Sequence, residues 1–141
     1  CPADKHDTHV AVVRATIAAI RLLPAAERPA RVYGCEIWRD LDWLPDNRKV
    51  VLDVSDRANI AAALSGVFDS QITGGKRYED AVMGRRRANA TFFESHAVDK
   101  ATLLTFAMDL TPLAADESLS MSDYVARLID ELKADVINRI G

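Results

Sequence analysis

The chain has 141 residues, 49% of them hydrophobic and 28% charged, with 18 basic and 21 acidic side chains and a formal charge of −3. Such a chain is long enough to bury roughly two thirds of its unfolded surface as one globular domain without disulfide staples. The weak negative charge and the absence of any apolar run near a bilayer span argue against nucleic acid and membrane as partners.

In chain order, the polar opening Asp4-Lys5-His6-Asp7-Thr8-His9 leads into a helix over 10–23, with Val13, Ile17 and Ile20 on one face, Asp7 or Thr8 as N-cap and Pro24 as terminator. Residues 31–38 are β-branched and aromatic and predict a strand; 49–54 predict a second. A turn-rich segment, 40–47, connects them. Ser55 or Asp56 caps a helix reaching about residue 70, with Ile60, Leu64 and Val67 on one face, and Gly74-Gly75 interrupts it. A further helix over 78–95 carries Val82, the run Arg85-Arg86-Arg87 and Phe92-Phe93, and 103–113 read as extended. Ser122 or Asp123 caps a last amphipathic helix over 122–140, in which Val125, Leu128, Leu132, Val136 and Ile140 recur at spacings of three or four. The order predicts a helix-rich α/β layer fold, and two strands make a thin sheet. Together with an opening at Cys1-Pro2-Ala3 that lacks Met and the marks of a signal peptide, this leads us to expect chain before Cys1.

Two of the three histidines fall in His6-Asp7-Thr8-His9. Spaced three apart at a helix entrance, the imidazoles can point to one side, and the positive end of the helix dipole favours their neutral, ligating form. Asp4 and Asp7 can orient the rings as acceptors, or one can ligate. A catalytic zinc takes three protein ligands and a water, so this pair is half a site, and two loop histidines with an N-cap are the plain alternative.

The run from Asp4 to Val12, the Ala-rich helix after it, the strand ending Tyr33-Gly34-Cys35-Glu36-Ile37-Trp38, then Val50-Val51-Leu52-Asp53-Val54-Ser55 and a helix with Ser70-Gln71 resemble the C-terminal half of the LmbE-like (PIG-L) zinc-dependent N-deacetylases. The resemblance covers about residues 4–95. It implies a Rossmann-like α/β fold and removal of an acetyl group from an N-acetylglucosamine-type amino sugar, with Zn2+ as cofactor. The family's second signature is His-Pro-Asp-His, which implies a metal ligand at His9 and, at His6, a residue that stabilises the tetrahedral intermediate or serves as acid. Asp7 stands where the family has Pro and Thr8 where it has Asp, so Asp4 or Asp7 would replace the missing orienting carboxylate. The first signature, Ala-His-Pro-Asp-Asp, which brings the other ligands and the general base, has no counterpart here. Residues 1–141 then read as a single domain from the rear of a longer deacetylase, completed by an N-terminal segment or partner chain. The isolated chain is expected to bind zinc poorly and to be inactive.

Other features have simpler readings. Arg85-Arg86-Arg87 can clamp a phosphate or carboxylate but reads first as a solvated helix face near Glu79, Asp80 and Glu94. Gly74-Gly75-Lys76 lacks phosphate-loop spacing and breaks a helix. Glu36 faces a cleft or is buried and paired; Trp38, Trp43, Phe92 and Phe93 read as core rather than a sugar platform. Cys1 and Cys35 are too few for a disulfide framework and point to a cytoplasmic setting, and Cys35, lacking a His or CxxC neighbour, reads as a core thiol. The alternative to the hydrolase is a non-catalytic binding or assembly module derived from one, using the last helix to contact a partner; homo-oligomerisation fits the same face. A sugar-phosphate binder using the arginines is a third.

Overall fold

The computed structural model describes residues 1–141 as six α-helices and three strands, an α/β chain rich in helix. No helix is long and apolar enough to cross a membrane. The first helix, α1 (Asp7–Arg21), starts with His6 as N-cap in extended conformation, φ −98° and ψ 124°, so Asp7 and Thr8 are helical rather than capping. The carboxylate of Asp4, not a side chain at the cap, accepts the His6 N–H. Val13 and Ile17 are buried, and α1 ends ahead of Pro24, whose ring disfavours helical backbone at Leu23.

Within 31–38 only β1 (Tyr33–Gly34) is a strand. The alternation of burial nonetheless runs on: Gly34 and Glu36 point inward, while Tyr33, Cys35 and Ile37 are exposed. Cys35 is therefore a surface thiol and not the core thiol its surroundings suggested. β2 (Lys49–Asp53) follows the expected bounds closely. The single helix expected after it is instead a 3-10 turn, Ser55–Arg57, then α2 (Ala58–Gly66) and α3 (Asp69–Ile72). Ser55 does not cap, because its hydroxyl accepts the backbone N–H groups of Thr102 and Leu103 at 2.9 and 3.2 Å. Ile60, Leu64 and Val67 are exposed, and Ala61 is the buried residue of α2.

Next come α4 (Tyr78–Phe92) and β3 (Leu104–Asp109). β3 is the third strand that the reading of 103–113 as merely extended passed over. It is the middle strand of the order β1-β3-β2 and pairs antiparallel with β1, Tyr33 opposite Asp109 and Gly34 opposite Met108. The extended run stops at Leu110, because Asp109 accepts the Thr111 N–H at 2.8 Å and Pro112 supplies a helical first turn for α5 (Thr111–Ala115). The last helix, α6 (Met121–Ile140), is capped by Ser120, which accepts from the Asp123 N–H, rather than by Ser122 or Asp123. It buries Tyr124 and Leu128 and leaves Val136 and Ile140 exposed.

The chain forms two compact units, Cys1–Val50 with Ala107–Gly141, and Val51–Phe106. In the first, α1 packs on α5. The Arg21 guanidinium donates to the carbonyls of Leu113, Asp116 and Leu119 at 2.7, 2.9 and 2.8 Å, closing the C-terminal end of α5. Leu41, Leu44, Met108, Leu110 and Leu113 are its fully buried side chains. In the second, α2 and α3 pack on α4, the Phe93 and Phe106 rings lie 5.3 Å apart, and Phe92 is exposed rather than core.

Candidate functional site

All four residues singled out at the helix entrance lie in the first unit, where they take different positions. Asp4 precedes α1 in a turn, and its side chain is only 2% exposed. One oxygen, Oδ1, accepts both the His6 backbone N–H at 2.8 Å and His9 Nδ1–H at 3.1 Å. The first bond is an Asx turn, the local geometry that Asp favours. His9 sits one turn into α1, so the same carboxylate reaches its ring. Burial alone would push the Asp4 carboxyl up; the bonds from His6 and His9 and the attraction of the His9 ring outweigh it, and the group sits below its ordinary range. Asp7, by contrast, is exposed at the first position of the helix and bonds neither ring. Of the two carboxylates, Asp4 is the one bonded to an imidazole.

With Nδ1 engaged, His9 presents Nε2 as its free nitrogen, and its side chain is half exposed. This is the arrangement in which a carboxylate fixes the tautomer of a metal-binding imidazole and raises its basicity. His6, at the N-cap, places its ring 5.3 Å from that of His9 and 4.8 Å from Trp38, tilted in both cases. Lys5 Nζ lies 5.7 Å from the Trp38 ring centre. Trp38 is thus half-buried against the His6 ring rather than part of the core. No group of three or more His, Cys, Asp or Glu side chains converges here or elsewhere in the chain. Measured against a catalytic zinc centre, which takes three protein ligands, these residues fit one corner and do not by themselves make the site.

No family model, curated protein or solved structure matches the chain. The site is therefore read from its own geometry. In the same unit lies Glu36, whose side chain is 0% exposed and whose two oxygens are both used: Oε1 by Arg39 Nε and Oε2 by Trp43 Nε1, each at 2.9 Å. Glu36 is the buried, paired carboxylate of the two readings the sequence left open. Arg39 also donates to the carbonyl of Ala3. Sequence reasoning missed the pairing of Glu36 with Arg39 and Trp43, because it depends on the left-handed turn at Asp40 and Leu41.

The remaining candidates lie elsewhere. In the second unit, Arg85 and Arg86 are half-buried on α4 and Arg87 is exposed. Arg86 Nη1 contacts Met83 Sδ at 3.9 Å, while its Nε and Oε2 of Glu79 are buried without a hydrogen-bond partner. An open groove along α1, lined by Ala11, Arg14, Ala15, Ala18 and Met121 among others, includes neither imidazole. Both cysteines are free.

Proposed function

We propose that this chain supplies one side of the active site of a zinc-dependent amide hydrolase that removes an acyl group from an N-acetylglucosamine-type amino sugar. The observation that carries the reading is the buried Asp4 carboxylate on His9 Nδ1, which leaves Nε2 of a half-exposed imidazole as a ligand atom. His9 is the ligand, Asp4 orients it, and the other ligands and the general base come from chain or a partner outside residues 1–141. Zinc, when bound, lowers the pKa of its water and polarises the acyl carbonyl. His6, exposed and braced against Trp38, stabilises the oxyanion or delivers a proton to the leaving amine. The β1-β3-β2 sheet is, on this reading, part of a Rossmann-like layered fold, in which an antiparallel edge strand is common. The two free thiols agree with a cytoplasmic setting.

The test is amine release from N-acetylglucosamine derivatives by the natural full-length chain, with and without a chelator. Release that the chelator abolishes and added zinc restores supports the reading. Release indifferent to chelator overturns it, and no release from any acylated amino sugar turns the assignment to the non-catalytic module.

A further inference from the structure

The Ala3–Asp4 peptide is held at both ends. Its carbonyl accepts from Arg39, and its N–H donates to the Cys1 carbonyl at 3.2 Å. A peptide is planar, so fixing its oxygen and its nitrogen fixes the plane from which the Asp4 side chain departs. The segment that does the holding is itself unusual. Burying a carboxylate is unfavourable unless it is fully paired, and Glu36 is fully buried with both oxygens satisfied. Immediately after Arg39, Asp40 and Leu41 take φ of 51° and 62°, a left-handed pair that Asp tolerates and Leu seldom adopts. Those two residues turn the chain so that Trp43 returns to Glu36, and wholly buried Leu41 and Leu44 anchor the turn. Backbone held against its preference persists only where surrounding contacts over-determine it, and it concentrates at functional sites.

We propose that Arg39, locked in place by Glu36 and Trp43, is a positioning residue for His9. It sets the Ala3–Asp4 peptide, the Asp4 carboxylate follows, and the carboxylate selects the His9 tautomer with Nδ1 protonated and Nε2 bare. The inference takes its meaning from the metal-ligand role of His9 given above, but the geometry it asserts is observable without metal. A single buried acid with two partners would suffice to hold the turn; the second nitrogen of Arg39 reaches past it to the one peptide that carries Asp4.

The experiment is 15N NMR of the histidine rings in the metal-free protein at a pH where the imidazoles are neutral. The variants are Arg39→Ala, Arg39→Lys and the double variant Glu36→Gln with Arg39→Ala. Arg39 is half exposed, and in the double variant a neutral amide can accept from Trp43 Nε1 without leaving a buried charge, so the double variant should fold. Wild type should show His9 with Nδ1 protonated. In Arg39→Ala and in the folded double variant that signature should be lost, the two ring nitrogens moving toward the averaged shifts of a free imidazole. Arg39→Lys, which keeps the charge but not the fork, should restore it in part. In the metal-loaded full-length protein the same variants should lose about tenfold in zinc affinity, the scale of an outer-partner mutation. A wild-type His9 signature in the folded double variant overturns the proposal. So does loss of the signature only in step with loss of folded protein, which would make the clasp structural alone. Loss of the signature in a protein that never binds zinc leaves the positioning role standing and removes the hydrolase reading; zinc-dependent activity with an unmoved signature does the reverse.

Discussion

Replacing Asp4 by Asn keeps the shape and the acceptor for the His6 N–H but removes the charge facing His9. A hydrogen bond to a charged group contributes about 1.5–3 kcal/mol, and an exposed ion pair about 0.2–1 kcal/mol. The Asp4 side chain is 2% exposed and that of His9 50%, so the pair lies between these limits, and we expect a loss of about 1 kcal/mol near neutral pH. The sign with pH is fixed by the direction of the Asp4 shift. The folded group sits below its ordinary value of 3.8, so its contribution is present above that value and disappears as pH falls through the lower, folded one. Urea unfolding followed by tryptophan fluorescence suits the test, because both tryptophans, Trp38 and Trp43, lie in the first unit and Trp38 is against the His6 ring. With a slope of roughly 2 kcal/mol per molar urea, the midpoint should fall by about 0.5 M at neutral pH and coincide with wild type in strong acid. In a double-mutant cycle with His9→Ala the two changes should couple by about the same 1 kcal/mol. An Asn variant as stable as wild type at neutral pH, a difference that persists in acid, or zero coupling would contradict the Asp4–His9 pair.

Three further expectations test the framework around the site. A Cβ at Gly34 would stand 2.7 Å from Leu110 Cδ1 in the buried β1–β3 ladder, so Gly34→Ala should cost about 1–3 kcal/mol by overpacking, read as a lower thermal midpoint. Arg21→Lys cannot serve the three carbonyls that the guanidinium spans. It should cost about 1–3 kcal/mol and speed amide exchange in α5 before that in α6. Ser55→Ala removes the acceptor of the Thr102 and Leu103 N–H groups. Those two amides should lose hydrogen-exchange protection while the first unit is unaffected, at a cost of about 1 kcal/mol per bond.

Where hydrophobic period and local chemistry agree, the structure was legible in the sequence. The spacing of Val13 with Ile17 carries through to burial, whereas from Tyr33 to Ile37 the pattern is inverted: Gly34 and Glu36 are buried and the apolar Tyr33 and Ile37 are exposed. β3 was harder to read because it is buried on both faces, Leu104, Phe106, Ala107 and Met108 alike, and a continuous apolar run has no strand period. The helix after Ser55 was misjudged because its hydroxyl is used across the chain, by Thr102 and Leu103, a demand invisible to a local capping rule. At the site, the His6–His9 spacing stood out, and Asp4 was one of two candidate carboxylates; the Asx turn that separates it from Asp7 needs only the i to i+2 reach of a side chain. The Glu36–Arg39–Trp43 clasp was out of reach, since it depends on left-handed backbone at Asp40 and Leu41 that residue preference disfavours and tertiary packing imposes.

The central claim is that His9, held by Asp4, presents Nε2 to a zinc ion. Elemental analysis of the natural full-length chain, purified without added metal, tests it directly. Wild type should carry one zinc per chain and His9→Ala essentially none, with the folded state otherwise intact; a zinc-free wild type, or stoichiometric zinc in His9→Ala, would contradict it.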